Sequence, residues 1–318
     1  MQFPGAQAVH DPSGPHAVML DRLGDLMYAT SAVVFVLVVA ALAAALWRRR
    51  GPGEDAADPA RERRLHAGVI VATGATTAVL AVFTLLNHGT GHRLTAPPPA
   101  EAVQIRVTGR QWFWDVEYRD SIPSRWVTTA NEIHVPVGRP VVLELRSSDV
   151  NHSFWVPSLG VKRDLIPGQE TSVWFQADSA GVYRGQCAEF CGHQHAKMAV
   201  LVIAQPADSF RTWLARQRDT ARTPADSVAR RGQEVFLSTS CVMCHAVQGT
   251  PAGSRIGPNL THLAGRRTLA AGTLPNTRGN LAGWIVDPQR IKPGVRMPPN
   301  SLEPDDLQAL LAYLESLR

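Results

Sequence analysis

The chain has 318 residues and a mass of 34.5 kDa, with 45% apolar and 19% charged residues, so it is a folded protein of roughly two domains and not a disordered or collagen-like one. Of its 32 basic residues 29 are arginine, spread along the chain without interleaved aromatics, which argues against nucleic acid as a partner. Its 4 cysteines are too few for a disulfide framework, yet they lie in two tight pairs, a spacing that points to ligand chemistry.

Residues 26–47 are an uncharged apolar run of 22, and residues 67–86 an uncharged run of 20. A helix needs about 20 such residues to cross a bilayer core, so two transmembrane helices are predicted. Buried core helices would rarely run this long without a charge. A cleavable signal peptide fits poorly, because no Lys or Arg precedes Arg22 and the apolar run is too long. The connection carries Arg48, Arg49, Arg50, Arg61, Arg63 and Arg64, whereas the segment before the first span has Arg22 beside Asp11, Asp21 and Asp25. The positive-inside rule therefore predicts a cytoplasmic loop, with both termini on the outer, periplasmic face of a bacterial inner membrane. Small residues in the second span (Ala72, Gly74, Ala75, Ala78) would let another helix pack closely, although a plain Gly/Ala-rich span has the same letters.

Pro97, Pro98 and Pro99 read as a stiff lead into a second region. Short β-rich runs follow at 103–108, 112–118, 132–137, 140–147, 171–177 and 198–204, separated by Gly, Pro, Asn and Asp, and predict a β-sandwich or barrel. Residues 206–222 read as an amphipathic helix with Phe210, Trp213 and Leu214 on one side, broken by Thr223-Pro224. The last part loses the strand pattern and reads as short helices joined by Gly/Pro loops, closing on a helix at 303–317. The predicted division is 1–94 for the N-terminal segment and membrane hairpin, 95–205 for the β domain, 206–224 for a helical linker and 225–318 for the α domain.

The segment YRGQCAEFCGHQHAKM (183–198) holds Cys187, Cys191, His195 and Met198 at spacings C-x3-C-x3-H-x2-M. Two thiolates, an imidazole and a thioether form a soft to intermediate ligand set that suits copper, and a second Cys lets two thiolates bridge two ions. A second histidine must then come from elsewhere. His152, in SDVNHSFWVPSLG after a predicted strand, is the best candidate, while His134 sits inside a strand pattern and His193 lies off the spacing. A Cys187–Cys191 disulfide would leave His195 and Met198 unexplained, and methionine is a poor zinc ligand.

The segment CVMCH (241–245) is a C-x-x-C-H haem attachment signature. Cys241 and Cys244 can add across the two vinyl groups of one haem, which sets His245 beneath the iron; zinc held by Cys241, Cys244, His245 and His262 is the competing metal reading. A sixth ligand suited to electron transfer is Met297 in VRMPPN, because Met243 lies inside the attachment loop and His262 falls on the stretch expected on the proximal side. No Ser/His/Asp set or phosphate-binding Gly loop accompanies these sites, so both read as electron relays.

GRQWFWDVEY (109–118), SSDVNHSFWVPSLGVKRDLIPG (147–168) and YRGQCAEFCGHQHAKM, with the two spans before them, resemble subunit II of haem–copper cytochrome c oxidase over about residues 20–205. The segment 225–318 resembles a class I cytochrome c. The resemblance implies a membrane-anchored multidomain chain: a two-helix transmembrane hairpin, a cupredoxin-like β-sandwich or barrel, then an all-α cytochrome c domain. It implies a dinuclear copper centre (CuA) held by His152, Cys187, Cys191, His195, Met198 and the backbone carbonyl of Glu189, whose side chain would help bind magnesium shared with the catalytic subunit. It also implies one covalent haem c on Cys241, Cys244, His245 and Met297, with the Pro258 carbonyl accepting from His245 Nδ1. The cluster Trp112–Phe113–Trp114 resembles the stretch near the electron-entry surface, and strand alternation puts Trp112 and Trp114 on one face. Arg266, Arg267 and Trp284 could contact haem propionates, though an exposed helix and core packing explain them about as well.

The function implied is that of the electron-entry subunit of a terminal oxidase. Electrons would run from a soluble cytochrome c or a quinol-oxidising complex through haem c and CuA to oxidase subunit I and its other membrane subunits, where oxygen reduction is coupled to proton pumping. The chain itself is read as a relay without the oxygen-reducing site. The copper subunit of a CuA-containing nitric oxide reductase has the same entry role with another terminal reaction. A copper-delivery or redox-sensing protein would leave the haem unexplained. From 223 to 318 there are ten Lys+Arg and seven Asp+Glu, an excess too small to predict strong steering of a donor.

Overall fold

The computed structural model describes residues 7–47, 59–99 and 101–318. They fall into two compact units: Val18–Pro97, and the segment ending at Ala17 together with Pro98–Arg318. In the first unit, helix α1 (Pro15–Trp47, 33 residues) and helix α2 (Pro59–Leu94, 36 residues) carry the two apolar runs and continue beyond them. The apolar windows of both helices are wholly exposed, as lipid-facing side chains must be. Threonine hydroxyls bond back within each helix, with Thr30 donating to the Leu26 carbonyl and Thr76 to that of Ala72. Arg48, Arg49 and Arg50 of the basic connection lie outside the described residues.

The second unit begins with the segment ending at Ala17, which includes the first residues of α1 and is laid against the β domain. The Ser13 amide donates to the Ser158 carbonyl at 2.7 Å, and the His16 ring meets Trp174 edge-on at 4.2 Å. The β domain has ten strands: β1 (Val103–Arg110), β2 (Phe113–Tyr118), β3 (Val127–Ala130), β4 (Glu132–Pro136), β5 (Val141–Ser147), β6 (His152–Val156), β7 (Val161–Leu165), β8 (Thr171–Phe175), β9 (Gly181–Cys187) and β10 (Ala199–Gln205). One sheet has the order β3-β2-β1-β5-β8 and the other β4-β10-β9-β6-β7. β1 pairs with β5, and β4 with β10, in parallel, while the other neighbours are antiparallel. Period-2 alternation sends Trp114, Val116 and Tyr118 of β2 inward, where they join Leu143, Phe154, Phe175 and Val202 in one core. Each such side chain contributes about 1.5–3 kcal/mol on burial.

Helix α3 (Ala207–Arg216) closes one end of this domain. Phe210 is buried in the sandwich core, and Trp213 stacks on His134 with ring centres 4.0 Å apart. The α domain follows, with α4 (Ser227–Ser238), α5 (Arg278–Val286), α6 (Pro288–Ile291) and α7 (Pro304–Ser316). Asp226 caps α4 by accepting from the Ala229 amide at 2.8 Å, and α7 opens on Pro304 followed by Asp305 and Asp306, which suit the positive end of its dipole. A second core of Phe236, Leu281, Ile285, Leu310, Tyr313 and Leu314 joins these helices. The molecule is thus a pair of long apolar helices, a cupredoxin-like β domain and a helical domain.

Candidate functional site

The β domain gathers the predicted donors at one end of the second sheet. His152 is the first residue of β6 and Cys187 the last of β9; Cys191, His195 and Met198 lie on the loop between β9 and β10. The two sulfurs are 3.8 Å apart and both cysteines are free and buried. Around them the remaining donors divide evenly. His152 Nδ1 lies 3.8 Å and the Glu189 carbonyl 3.4 Å from Cys187 Sγ, while His195 Nδ1 lies 3.6 Å and Met198 Sδ 3.9 Å from Cys191 Sγ. Two shared sulfurs with two separate sets of terminal donors fit a pair of soft ions better than one tetrahedral zinc ion. The hydrogen bond from the Cys191 thiol holds the Cys187 thiol far below its ordinary value and pushes Cys191 up, so the pair yields its protons in very different ranges.

A further layer of residues fixes these donors. Asp149 Oδ1 is 2.9 Å from His152 Nε2, and Asp149 Oδ2 accepts from the Gln111 amide at 2.8 Å. Burial alone would raise the Asp149 carboxyl, but its bonds to His152 and to the Gln111 and Val150 amides hold it below the usual range. The Cys191 carbonyl accepts from the Trp112 indole at 2.8 Å and from the Gln111 side chain at 2.9 Å. Gly109 lets β1 pass the His152 ring, since a Cβ there would lie 2.8 Å from His152 Cδ2. Trp114 is wholly buried and meets His152 and Phe154 edge-on, which makes it the core member of the aromatic cluster. His193 is exposed, and His134 lies under Trp213.

In the α domain, a short three-ten turn at Ser240–Met243 brings Cys241 and Cys244 to one wall of a cavity of about 780 Å³. His245 and Met297 also line it, as does Trp284. His245 Nδ1 lies 2.8 Å from the Pro258 carbonyl, and burial holds the imidazole below its ordinary value, in the neutral form that ligates. Gly257 keeps this wall thin, since a Cβ there would lie 2.8 Å from His245 Cε1. Met243 touches the cavity rim but is 68% exposed. His262 is not on the cavity wall; its Nδ1 is 2.9 Å from the Arg318 carbonyl. Two guanidinium Nε atoms, of Arg110 and Arg266, are buried without a hydrogen-bond partner among the described residues, and both arginines line the cavity. A macrocycle bearing carboxylates fits this lining; Arg267 and Trp284 differ, Arg267 being exposed and off the wall.

The β domain supplies part of that wall. Arg110, Gln111, Trp112 and Phe113 line the same cavity as the CVMCH cysteines. A seam of hydrogen bonds joins the two domains: the buried Glu132 carboxylate accepts from the Arg267 and Thr268 amides at 2.8 and 2.9 Å, and the Ala199 amide donates to the Ala271 carbonyl at 3.0 Å. Gln194 and Lys197, which flank His195, donate to the Pro293 and Ile291 carbonyls. Lys292, only 1% exposed, donates to the Trp112 carbonyl at 3.0 Å and to that of Ala270 at 3.2 Å, and burial pushes it down to about 7. Sequence reasoning did not foresee Asp149, Gln111, Glu132 or Lys292 in these roles. Only the presence of a polar residue close to a motif or strand end could have singled them out.

Residues 103–205 match the family model for the cytochrome c oxidase subunit II periplasmic domain, and residues 229–318 the cytochrome c model. A cytochrome c oxidase subunit 2 of Alkalihalophilus pseudofirmus is 36% identical over 319 residues, covering 97% of this chain and 90% of the relative. One of Bacillus subtilis is 33% identical over 229 residues, covering 69% of this chain and 63% of the relative. The crystal structure of the periplasmic domain of cytochrome oxidase subunit II from Bradyrhizobium japonicum is 30% identical, covering 38% of this chain and 97% of that one, with a TM-score of 0.36. A match of this identity from one end of the chain to the other, with a cytochrome c domain behind the copper-site fold, establishes that the chain belongs to the cytochrome c oxidase subunit 2 family.

Proposed function

We propose that this chain is the electron-entry subunit of a haem–copper terminal oxidase, with the donor set of the β domain holding a dinuclear CuA centre and the cavity of the α domain holding one covalent haem c. The copper ligands are then His152, Cys187, Cys191, His195, Met198 and the Glu189 carbonyl. The haem is attached through Cys241 and Cys244 and ligated by His245 and Met297. When bound, these groups supply one-electron exchange, from an external donor (a soluble cytochrome c or a quinol-oxidising complex) through haem and copper to subunit I, where oxygen is reduced and protons are pumped.

The chain's own residues explain why such sites would relay and not react. The donors gathered around the two sulfurs would be taken up by the metal pair itself, and His245 and Met297, which line the cavity, would both be taken up by the haem iron. Asp149 orients the His152 ring, and the Pro258 carbonyl orients His245. The observation that carries the reading is Trp112: its indole donates to the Cys191 carbonyl, while the same residue lines the cavity that holds the CVMCH cysteines. The exposed Glu189 carboxylate is assigned to magnesium shared with subunit I. The basic connection assigns the loop between the helices to the cytoplasm, and both termini to the periplasmic face of the inner membrane.

Electron paramagnetic resonance of the full chain loaded with copper tests this reading. One electron shared equally by two copper nuclei is the expected pattern; a single-nucleus pattern would overturn the dinuclear assignment.

A further inference from the structure

Lys292 is one of the chain's three lysines, the others being Lys162 and Lys197. It sits five residues before Met297, on the loop that follows α6, and is 1% exposed. A buried ammonium is costly unless its protons are taken up. Here the two acceptors belong to different domains: the Trp112 carbonyl to the copper domain and the Ala270 carbonyl to the haem domain. On its own, neither domain would bury this amine with both partners. The acceptor on the copper side is also specific, because the same Trp112 donates its indole N–H to the Cys191 carbonyl and lines the haem cavity. Lys292 lines that cavity as well. On either side of it in sequence, the carbonyls of Ile291 and Pro293 accept from Lys197 and Gln194 of the copper-ligand loop. The methionine loop of one site and the Gln194–Met198 loop of the other are thereby joined at the two residues that flank Lys292.

We propose that Lys292 is a positioning residue for electron transfer between the two sites: it fixes the haem domain on the copper domain with Trp112 in register between the haem cavity and Cys191. This rests on the relay function proposed above. The transfer concerned moves one electron from the reduced haem to the oxidised copper pair, and no bond is made or broken and no proton moves. Lys292 binds neither group as a ligand; it acts through the position of Trp112. Misplacement by about 1 Å in a site that depends on alignment can cost up to about a hundredfold in rate, so the loss of this clamp is read in kinetics and not in the spectra of the two sites.

The experiment uses the full chain with copper and haem in place, reduced at the haem by a photoexcited ruthenium dye. It follows the first-order transfer to copper in the unaltered chain, in Lys292→Met, which keeps the stem and loses the donor, and in Lys292→Gln, which keeps an N–H donor without the charge. In the unaltered chain the rate is expected to be independent of viscosity. In Lys292→Met it should fall about tenfold or more and become viscosity-dependent, because the domains must now find each other, while the copper hyperfine pattern and the haem absorption spectrum stay the same. Lys292→Gln should lie between the two, and it decides the matter if the methionine variant does not fold. Unchanged rate and viscosity dependence in a folded variant would overturn the proposal. A chain in which no haem-to-copper transfer occurs even without substitution would overturn the relay reading itself, a result that is distinct because no variant is needed to see it.

Discussion

The copper-site and haem-site regions of this chain solve the same problem at different scales. At the first, five side chains and one carbonyl place their donor atoms within 4 Å of one of two sulfurs, on strand ends and a single loop held by Asp149, Gln111 and Trp112. At the second, the proposed ligands stand apart on the Ser240–Met243 turn and its continuation and on the loop before α7, around a cavity of about 780 Å³ whose wall includes residues from the other domain. A small-ion site can be built by local hydrogen bonds. A macrocycle site needs a wall, and here the wall is borrowed across a domain boundary.

The comparison can be broken at its strongest point by Cys191→Ser. The paired-copper hyperfine signal is expected to vanish while the haem absorption spectrum stays intact; a surviving two-nucleus pattern would show that the sulfur does not bridge. Met297→Ala is the matching test of the larger site. It should open the haem to added small ligands and lower its reduction potential, and spectra unchanged by cyanide or imidazole would remove Met297 from the axial position. Asp149→Asn sharpens the contrast by leaving all copper donors in place and altering the carboxylate that orients His152 and accepts from the Gln111 amide. Copper affinity should fall about 10–100-fold, measured by competition with a chelator, with haem attachment unaffected.

The smallest effect concerns α3, which packs on the copper domain through Trp213 and His134. Burial lowers His134 from its usual 6.5 to about 4. The unfolded chain therefore binds the proton more readily between these values, so stability is full above about pH 6.5 and falls as the pH drops towards 4. The loss is at most about 3 kcal/mol. Denaturant midpoints across that range check it, and His134→Phe should flatten the slope.

Much of this was legible in the chain because both metal-type motifs are local. C-x3-C-x3-H-x2-M is one loop, and CVMCH is one turn. The strands missed in the sequence were those without clean alternation. β3 is only four residues long, β6 is buried on nearly every residue, β7 carries Lys162, Arg163 and Asp164 in a row, and β9 contains Gly181 and Gly185. Residues 206–222 read as a linking helix, but period 3.6 alone could not reveal that Phe210 enters the sandwich core. Glu132 and Lys292 were illegible for another reason: each takes its meaning from a partner far off in sequence, and a charged residue gives no sign of which distant amide or carbonyl it will meet; Asp149 meets His152 only three residues on, but its second oxygen meets the Gln111 amide from another strand end.

The scarcity of lysine gives the domain seam a chemical signature. Lys162 and Lys197 are exposed, whereas the Lys292 amine is shielded by both domains at once. An amine-acylating reagent followed by peptide mass mapping would mark Lys162 at all times and Lys292 only in molecules whose seam has parted, while Lys197, whose amine donates across the seam to the Ile291 carbonyl, gains reactivity with it. The chain thus carries its own footprinting probe for separation of its two domains, with Lys162 as internal standard.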